Sequence, residues 1–227
     1  DEAIGKIVAT LASHGLRENT LIVFSSDNGG PNPVKVSDNG PLRAGKGTIY
    51  EGGVRVCAFA NWPGHIPSGV TNHEPMHAVD WFPTLVKLAG GSLEQKLPLD
   101  GRDVWPMLTQ GAKSPHEAIL SASTPTRAAV RMGDWKLLLN ASEQDSEEAA
   151  EGATRKGKNK KIDQGETVEL YNLATDIGET TNLATGEPER VATMRAKLNL
   201  LLKDAAPQGH LGKEDGAIKA PGKAKQR

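Results

Sequence analysis

The chain has 227 residues, 37% of them hydrophobic and 24% charged, which is enough to bury a core in one or two globular domains. Its net charge of −1 gives no global electrostatic case for binding nucleic acid or an anionic membrane. The single cysteine, Cys57, excludes an internal disulfide and a cysteine-rich zinc site. No apolar run approaches the roughly 20 residues of a spanning helix, so we predict no membrane span.

Residues 1–105 have the helix and strand pattern of an α/β domain. An amphipathic surface helix is predicted before Gly15 by apolar residues on one helical face, namely Ile4, Ile7, Val8 and Leu11. The apolar run "TLIVFSS" predicts a strand buried on both faces of a mainly parallel sheet covered by helices. A second strand is predicted at "GVRVCAFANW", and a further helix at "AVDWFPTLVKLAGG", with Asp80 near its start.

Residues 106–206 have a different pattern, typical of a small antiparallel α+β subdomain. The strands "RAAVRMGDWKLLLN" and "TVELYNLA" alternate without an intervening helix, and a final amphipathic helix is predicted by the stripe Val191, Met194, Leu198 and Leu201. The segment 141–166 is an acidic block followed by a basic one; it is predicted to be an exposed loop, the alternative being a contact for a charged partner. Residues 207–227 predict a disordered tail.

Asp27 and Asn28 follow the predicted strand directly. The carboxyl ends of parallel strands face the crevice where open α/β sheets bind ligands, and an acid beside an amide offers two oxygens to a hard cation such as Ca²⁺ or Mg²⁺. The same residues, Asp and Asn followed by glycine, also favour a simple turn, which is the alternative interpretation. A second copy, "SDNGP" at Ser37–Pro41, has no strand before it and predicts a turn.

Lys46 lies between glycines in "PLRAGKGT". Glycines allow the backbone to approach a ligand closely, and a lysine ammonium is a compact positive charge suited to an anion's oxygen. A cation with a nearby lysine suits the binding of a sulfate or phosphate ester. A loop lysine that is merely solvated is the alternative.

Several segments in order resemble the C-terminal half of the type I sulfatases, the arylsulfatase-like members of the alkaline phosphatase superfamily. They are "LIVFSSDNGG", "PLRAGKGTIYEGGVRV", "WPGHIPSG", "VDWFPTLVKLAG", "LDGRDVWPML", "VRMGDWKLLLN" and "VELYNLATDIGETTNLA". The resemblance implies the C-terminal part of an alkaline-phosphatase-like sandwich, followed by the small antiparallel subdomain. It leaves out only the charged segment and the tail.

The resemblance also implies a function and its residues. Family members hydrolyse sulfate esters with a formylglycine nucleophile and a calcium ion. Carried onto this chain, Asp27 and Asn28 become calcium ligands, and Lys46 becomes a catalytic and substrate-binding residue that contacts the sulfate. The implied substrate is a sulfated small molecule or saccharide, and the implied location is periplasmic, secreted or lysosome-like. A phosphodiesterase or phosphonate hydrolase of the same superfamily, or a non-catalytic module that binds a sulfated ligand, stays open.

The formylglycine motif of the family, C/S-x-P/A-x-R, lies upstream of the "DNG" strand. We therefore expect this chain to be a fragment that lacks the nucleophile and is inactive alone. One match, "STPTR" at Ser123–Arg127, leads into a strand and is interpreted as a coincidence. Cys57 is predicted to be a small buried strand residue. The histidines His65, His73 and His77 are predicted to be exposed or capping residues, and "EGGVR" at Glu51–Arg55 to be loop architecture.

Overall fold

The computed structural model describes residues 1–31, 37–143 and 165–205. The helices are α1 (Glu2–Ser13), α2 (Glu51–Val54), α3 (Trp81–Leu88), α4 (Trp105–Gln110) and α5 (Pro188–Asp204). The strands are β1 (Ile22–Ser25), β2 (Ala58–Asn61), β3 (Ile119–Thr124), β4 (Arg127–Met132), β5 (Trp135–Leu139) and β6 (Val168–Asn172). Over these ranges, no helix has the length and apolar character needed to cross a membrane.

The strand β1 pairs with β2, and the pairing is antiparallel. Phe24 lies opposite Phe59, the two rings stack at 5.0 Å, and they remain 37% and 46% exposed. The described residues therefore do not contain the parallel pairing, or the burial on both faces, that the apolar run predicts. A parallel partner requires a crossover connection, whereas the described part of the chain between β1 and β2 contains loops and the single turn of α2.

The second sheet has the strand order β3-β4-β5-β6, with every neighbouring pair antiparallel. The segment "RAAVRMGDWKLLLN", predicted as one strand, forms β4 and β5, "TVELYNLA" contains β6, and β3 was not predicted. The helix that follows them, α5, packs on one face. A β-bulge interrupts the β3–β4 register between Ala122 and Thr124. This sheet and α5 hold the larger hydrophobic core.

Both faces of the second sheet are buried, by different parts of the chain. Towards α5, a cluster forms from Ala128, Val130, Leu137, Leu139, Leu170, Met194 and Leu198. On the opposite face, Leu138 and Tyr171 pack with Ile49 and Tyr50, which directly precede α2. Because side chains alternate along a strand, Lys136 lies on the same face as Leu138. The sheet therefore supports the segment that leads from Lys46 into α2.

Two predictions fall largely or wholly outside the described residues. The charged segment 141–166 is described only at its ends, and the predicted tail 207–227 is not described. The division into residues 1–105 and 106–206 stays a prediction.

Candidate functional site

The turn after β1 carries Asp27 and Asn28. Ser26 extends the ladder by donating its N–H to the Cys57 carbonyl at 3.2 Å, and its hydroxyl donates to the Asn28 carbonyl at 2.8 Å. Asp27 is exposed, and its Oδ1 accepts the N–H of Asn28 at 3.0 Å. The turn interpretation and the ligand interpretation are thus compatible, because this local hydrogen bond engages only Oδ1 of an exposed carboxylate, which has further acceptor capacity.

The loop of Lys46 is hydrogen-bonded to this turn. The backbone N–H of Lys46 donates to the Gly30 carbonyl at 3.0 Å, while the residue itself is exposed. Asn39 joins the same contact: its Oδ1 accepts the Gly30 N–H at 2.8 Å, and its Nδ2 donates to the carbonyls of Gly30 and Ala44 at 3.0 and 2.9 Å. The second "DNG" copy forms the predicted turn and also fixes the position of the first.

The helix α2 packs against both loops through its two glycines. Gly29 donates its N–H to the Gly53 carbonyl at 3.0 Å, and a Cβ on Gly29 would lie 1.6 Å from the Gly52 carbonyl oxygen. A Cβ on Gly52 would lie 2.3 Å from the Arg43 carbonyl oxygen. These contacts are shorter than any side chain permits, so the glycines of "DNGG" and "EGGVR" are required for the close backbone approach.

Arg43, in the "PLR" segment, joins the Lys46 loop to the second sheet. Its guanidinium lies 4.1 Å from the centre of the Tyr50 ring and contacts several acceptors of the sheet region, namely Glu143, Glu169, the Tyr171 hydroxyl and the Glu179 carbonyl. Burial and the neighbouring Glu169 carboxylate raise the pKa of Tyr50 and Tyr171 above the ordinary value of 10.0. Both hydroxyls therefore stay protonated and donate to Glu169, which completes the anchor.

A buried charged cluster holds the start of α2. Lys136 Nζ lies 2.8 Å from Glu51 Oε1 and 2.9 Å from Glu179 Oε1, and Glu179 Oε2 accepts the Glu51 N–H at 2.6 Å. Burial opposes ionisation of Glu51, but Lys136, together with Arg131 and Arg55, outweighs it and holds the pKa of Glu51 below 4.5. Burial raises the pKa of Glu179 above 4.5, although Lys136 opposes this. The predicted architectural role of Glu51 is thus an ion pair with the sheet.

The oxygen donors of Asp27 and Asn28 fit a hard cation in chemistry but not in number. Calcium takes six to eight oxygens, and two adjacent residues supply fewer. Within the ranges 1–31, 37–143 and 165–205, no cluster of three or more His, Cys, Asp or Glu residues could hold a metal ion. These two residues alone therefore supply too few oxygens for a calcium site.

The remaining motif residues lie in structural settings. Ser123 is the second-last residue of β3 and Arg127 is the first residue of β4, so "STPTR" spans the hairpin turn between these two strands. Cys57 is exposed, and the prediction that it is buried is wrong because β2 begins one residue later and has only β1 as a described neighbour. His65 and His73 are exposed, and His77 caps a turn, as the sequence predicts.

Sequence reasoning assigned no role to several of the residues that organise this region. Lys136 had a signal, since it is a lone charge inside the apolar strand "WKLLL". His116, whose Nε2 lies 2.8 Å from Oδ1 of the buried Asp80, had none, because its partner is 36 residues away. Glu179 had no sequence signal either, because it lies in a turn, with φ of 52°, and not in a helix or strand whose periodicity would indicate burial.

Comparison with known proteins shows similarity to sulfatases. Residues 1–92 match the Sulfatase family model. Arylsulfatase J of Mus musculus is 30% identical over 91% of this chain and 39% of its own length, and arylsulfatase A of Homo sapiens is 39% identical over 82% of this chain and 38% of its own length. The chain thus spans about two fifths of the length of these relatives.

Solved structures give the same result for the fold. The crystal structure of Ps i-CgsB in complex with k-i-k-neocarrahexaose matches 90% of this chain and 41% of its own, with a TM-score of 0.74 and 31% identity. The PsFucS1 sulfatase from Pseudoalteromonas sp. matches 88% of this chain and 40% of its own, with a TM-score of 0.63 and 28% identity.

Proposed function

We propose that this chain, which belongs to the sulfatase family and aligns with the C-terminal half of its relatives, contributes calcium- and sulfate-binding residues to a sulfuric ester hydrolase. The observation that carries the proposal is the hydrogen bond from the Lys46 N–H to the Gly30 carbonyl. It joins the loop of a candidate sulfate-binding lysine to the turn of two candidate calcium ligands. Each feature alone is also compatible with an ordinary surface loop.

The roles follow from the chemistry of the side chains. Asp27 and Asn28 supply oxygen ligands to calcium, and the ion, when bound, adds positive charge that holds the sulfate oxygens. Lys46 contacts the sulfate ester and neutralises the charge that develops on the leaving alkoxide. A preorganised group of this kind contributes about 2.7–4 kcal/mol. The formylglycine nucleophile and further ligands come from outside these 227 residues, so this chain alone does not turn over substrate.

A sulfated saccharide is the proposed substrate class. It is supported by the similarity to Ps i-CgsB, whose structure holds a bound neocarrahexaose. A periplasmic, secreted or lysosome-like location is proposed with it. The relatives named above as sulfatases or arylsulfatases favour a sulfate ester over a phosphodiester or a phosphonate.

The test of Lys46 is its replacement in the full-length protein that contains this chain. Lys46→Ala should lower kcat/KM for 4-nitrophenyl sulfate by about 100-fold or more, the equivalent of the loss expected for one such group. Lys113→Ala is the control, since Lys113 is an exposed lysine paired with Glu74. An unchanged rate in Lys46→Ala removes this residue from the site. Bis(4-nitrophenyl) phosphate and a phosphonate ester, tested beside the sulfate, decide the reaction class.

The test of the metal ligands uses the two copies of "DNG". Asp27→Ala should raise the calcium concentration needed for half-maximal activity, whereas Asp38→Ala should not. Asp38 is the matched control because it occupies the same motif position and its Oδ1 only accepts the Gly40 N–H, at 2.8 Å. In calorimetric titration, this chain alone should bind calcium at millimolar concentration or more weakly. Micromolar affinity would contradict a half-site.

A further inference from the structure

The cluster of Glu51, Lys136 and Glu179 lies at the junction between the second sheet and α2. All three residues are buried, with exposures of 3%, 2% and 0%. Arg55 Nη1 lies 3.4 Å from Glu51 Oε2 at the edge of the cluster. An ion cluster this deep is expensive to desolvate, and apolar side chains of similar volume often give equal or higher stability. Stability alone is therefore a weak reason for placing charges here.

Hydrogen bonds and ion pairs are directional, so this cluster can fix the orientation of α2, which apolar packing would leave less defined. Glu179 Oε2 accepts the N–H of Glu51, the first residue of α2, while Lys136 Nζ binds the Glu51 side chain from β5. Glu51 is thus held at both its backbone and its side chain. The Glu179 Oε1 atom contacts Lys136 at 2.9 Å without forming a hydrogen bond. The position and rotation of α2 relative to the sheet follow from these contacts.

The turn that carries Glu179 is itself built to hold this position. The Asp176 carboxylate accepts the N–H groups of Thr180 and Thr181 at 2.9 Å each, which stabilises the turn around Glu179. Gly178 packs so closely on the loop before Arg43 that a Cβ would lie 3.0 Å from the Pro41 carbonyl oxygen. The same turn therefore contacts both α2 and the "PLR" segment.

The position of α2 is transmitted directly to the candidate site. Gly29, next to Asn28, donates to the Gly53 carbonyl and packs on the Gly52 carbonyl. Gly52 in turn donates to the Arg43 carbonyl at 2.8 Å, in the loop that continues to Lys46. Rigid backbone contacts of this kind, with no intervening side chain, leave little freedom to absorb a shift of α2.

We propose that Lys136 is a positioning residue of the active site, which holds α2 through Glu51 and Glu179 and thereby sets the relative placement of the Asp27–Asn28 turn and the Lys46 loop. The inference rests on the proposed function for its catalytic consequence. Lys136 itself is buried, with an exposure of 2%. Its effect on the site passes through α2.

Two variants of the full-length protein test the role. Lys136→Met removes the ammonium and keeps a similar length, but it leaves two buried carboxylates without their counter-ion and can impair folding. Lys136→Met combined with Glu51→Gln leaves Glu179 as the single carboxylate of the cluster, so the interior carries less unpaired charge. Lys113→Met is the control, because it breaks an ion pair of an exposed lysine.

The kinetic readout is the separation of kcat from KM with 4-nitrophenyl sulfate at equal folded concentration. In the double variant, kcat should fall by about 10- to 100-fold, the range seen when groups that orient metal-binding side chains are removed. The thermal midpoint of each variant is measured beside the kinetics, so that rates are compared only at temperatures where both proteins are folded. Lys113→Met should change neither quantity. A double variant that folds and keeps the parent kcat overturns the proposal.

A second readout does not depend on catalysis. Amide hydrogen exchange of the metal-free protein should accelerate in peptides covering residues 26–54 of the double variant, relative to peptides covering 81–110. If the double variant changes the exchange rate equally in both regions, or in neither, the positioning role is overturned. If the parent protein hydrolyses no sulfate ester but the exchange pattern appears, the proposed function fails and the mechanical link from Lys136 to the turn remains.

Discussion

The two sheets of this chain differ sharply in how they are packed. In the second sheet, Val130, Leu137 and Leu170 have no exposed surface, and α5 and the segment before α2 cover its two faces. In the first, the Phe24 and Phe59 rings are partly exposed, and α1 contains no buried residue. The candidate site lies between them, and its loops are fastened to the well-packed side. The candidate loops thus gain rigidity from a sheet that supplies none of the proposed ligands.

The largest effect is expected in the core of the second sheet. Leu137→Ala should lower the free energy of unfolding by about 2–5 kcal/mol, because Leu137 is fully buried and its removal leaves a cavity. Urea denaturation of the intact protein measures this loss. A loss below 1 kcal/mol, on the order of a surface substitution, would mean that this sheet is not the stable part.

A close approach of two backbones is the next most sensitive feature. Gly29→Ala places a Cβ against the Gly52 carbonyl and should cost about 1–3 kcal/mol or more, with loss of calcium-dependent activity. The control is Gly5→Ala, since a Cβ at Gly5 meets nothing within 4 Å and alanine favours the helix α1. Equal stability of the two variants, measured by urea denaturation, would contradict the tight junction.

A smaller effect is expected in the pH dependence of stability. The pKa of Glu179 is raised in the folded protein, so the folded state binds more protons between pH 4.5 and that raised pKa, and stability falls as pH rises through this window. Glu51 has the opposite sign: its lowered pKa adds stability that is complete above pH 4.5 and lost below it. Glu179→Gln should remove only the decline above pH 4.5. Parallel stability curves for this variant and the parent would disprove the assignment.

The smallest effect is expected in the first sheet. Phe24→Ala removes one ring of an exposed stacked pair and should cost only about 0.5–1.5 kcal/mol. The measurement is again urea denaturation of the intact protein. A loss as large as that of Leu137→Ala would show that other segments of the intact protein bury the two rings. The difference in packing between the two sheets would then hold only for these 227 residues and not for the intact protein.

The elements and their periodicity were largely predictable from the sequence. The stripe containing Met194 and Leu198 predicted the buried face of α5. The alternation along "RAAVRMGDWKLLLN" predicted one strand, which the structure divides into β4 and β5. The direction in which β1 pairs was not predictable from the sequence, because a short apolar run is compatible with either a parallel or an antiparallel partner. Burial of Cys57 was mispredicted for the same reason, since exposure depends on what covers the strand.

The sequence by itself determined the candidate chemistry: an acid and an amide after a strand, a lysine among glycines, and the order of segments that resembles the sulfatases. Only the tertiary structure decided how these pieces are held, through Asn39 on Gly30, the glycines of α2 and the burial of Lys136 between two carboxylates. The physical reason is sequence distance. Lys136 is 85 residues from Glu51, and no local pattern records a contact that forms only when two distant segments pack together.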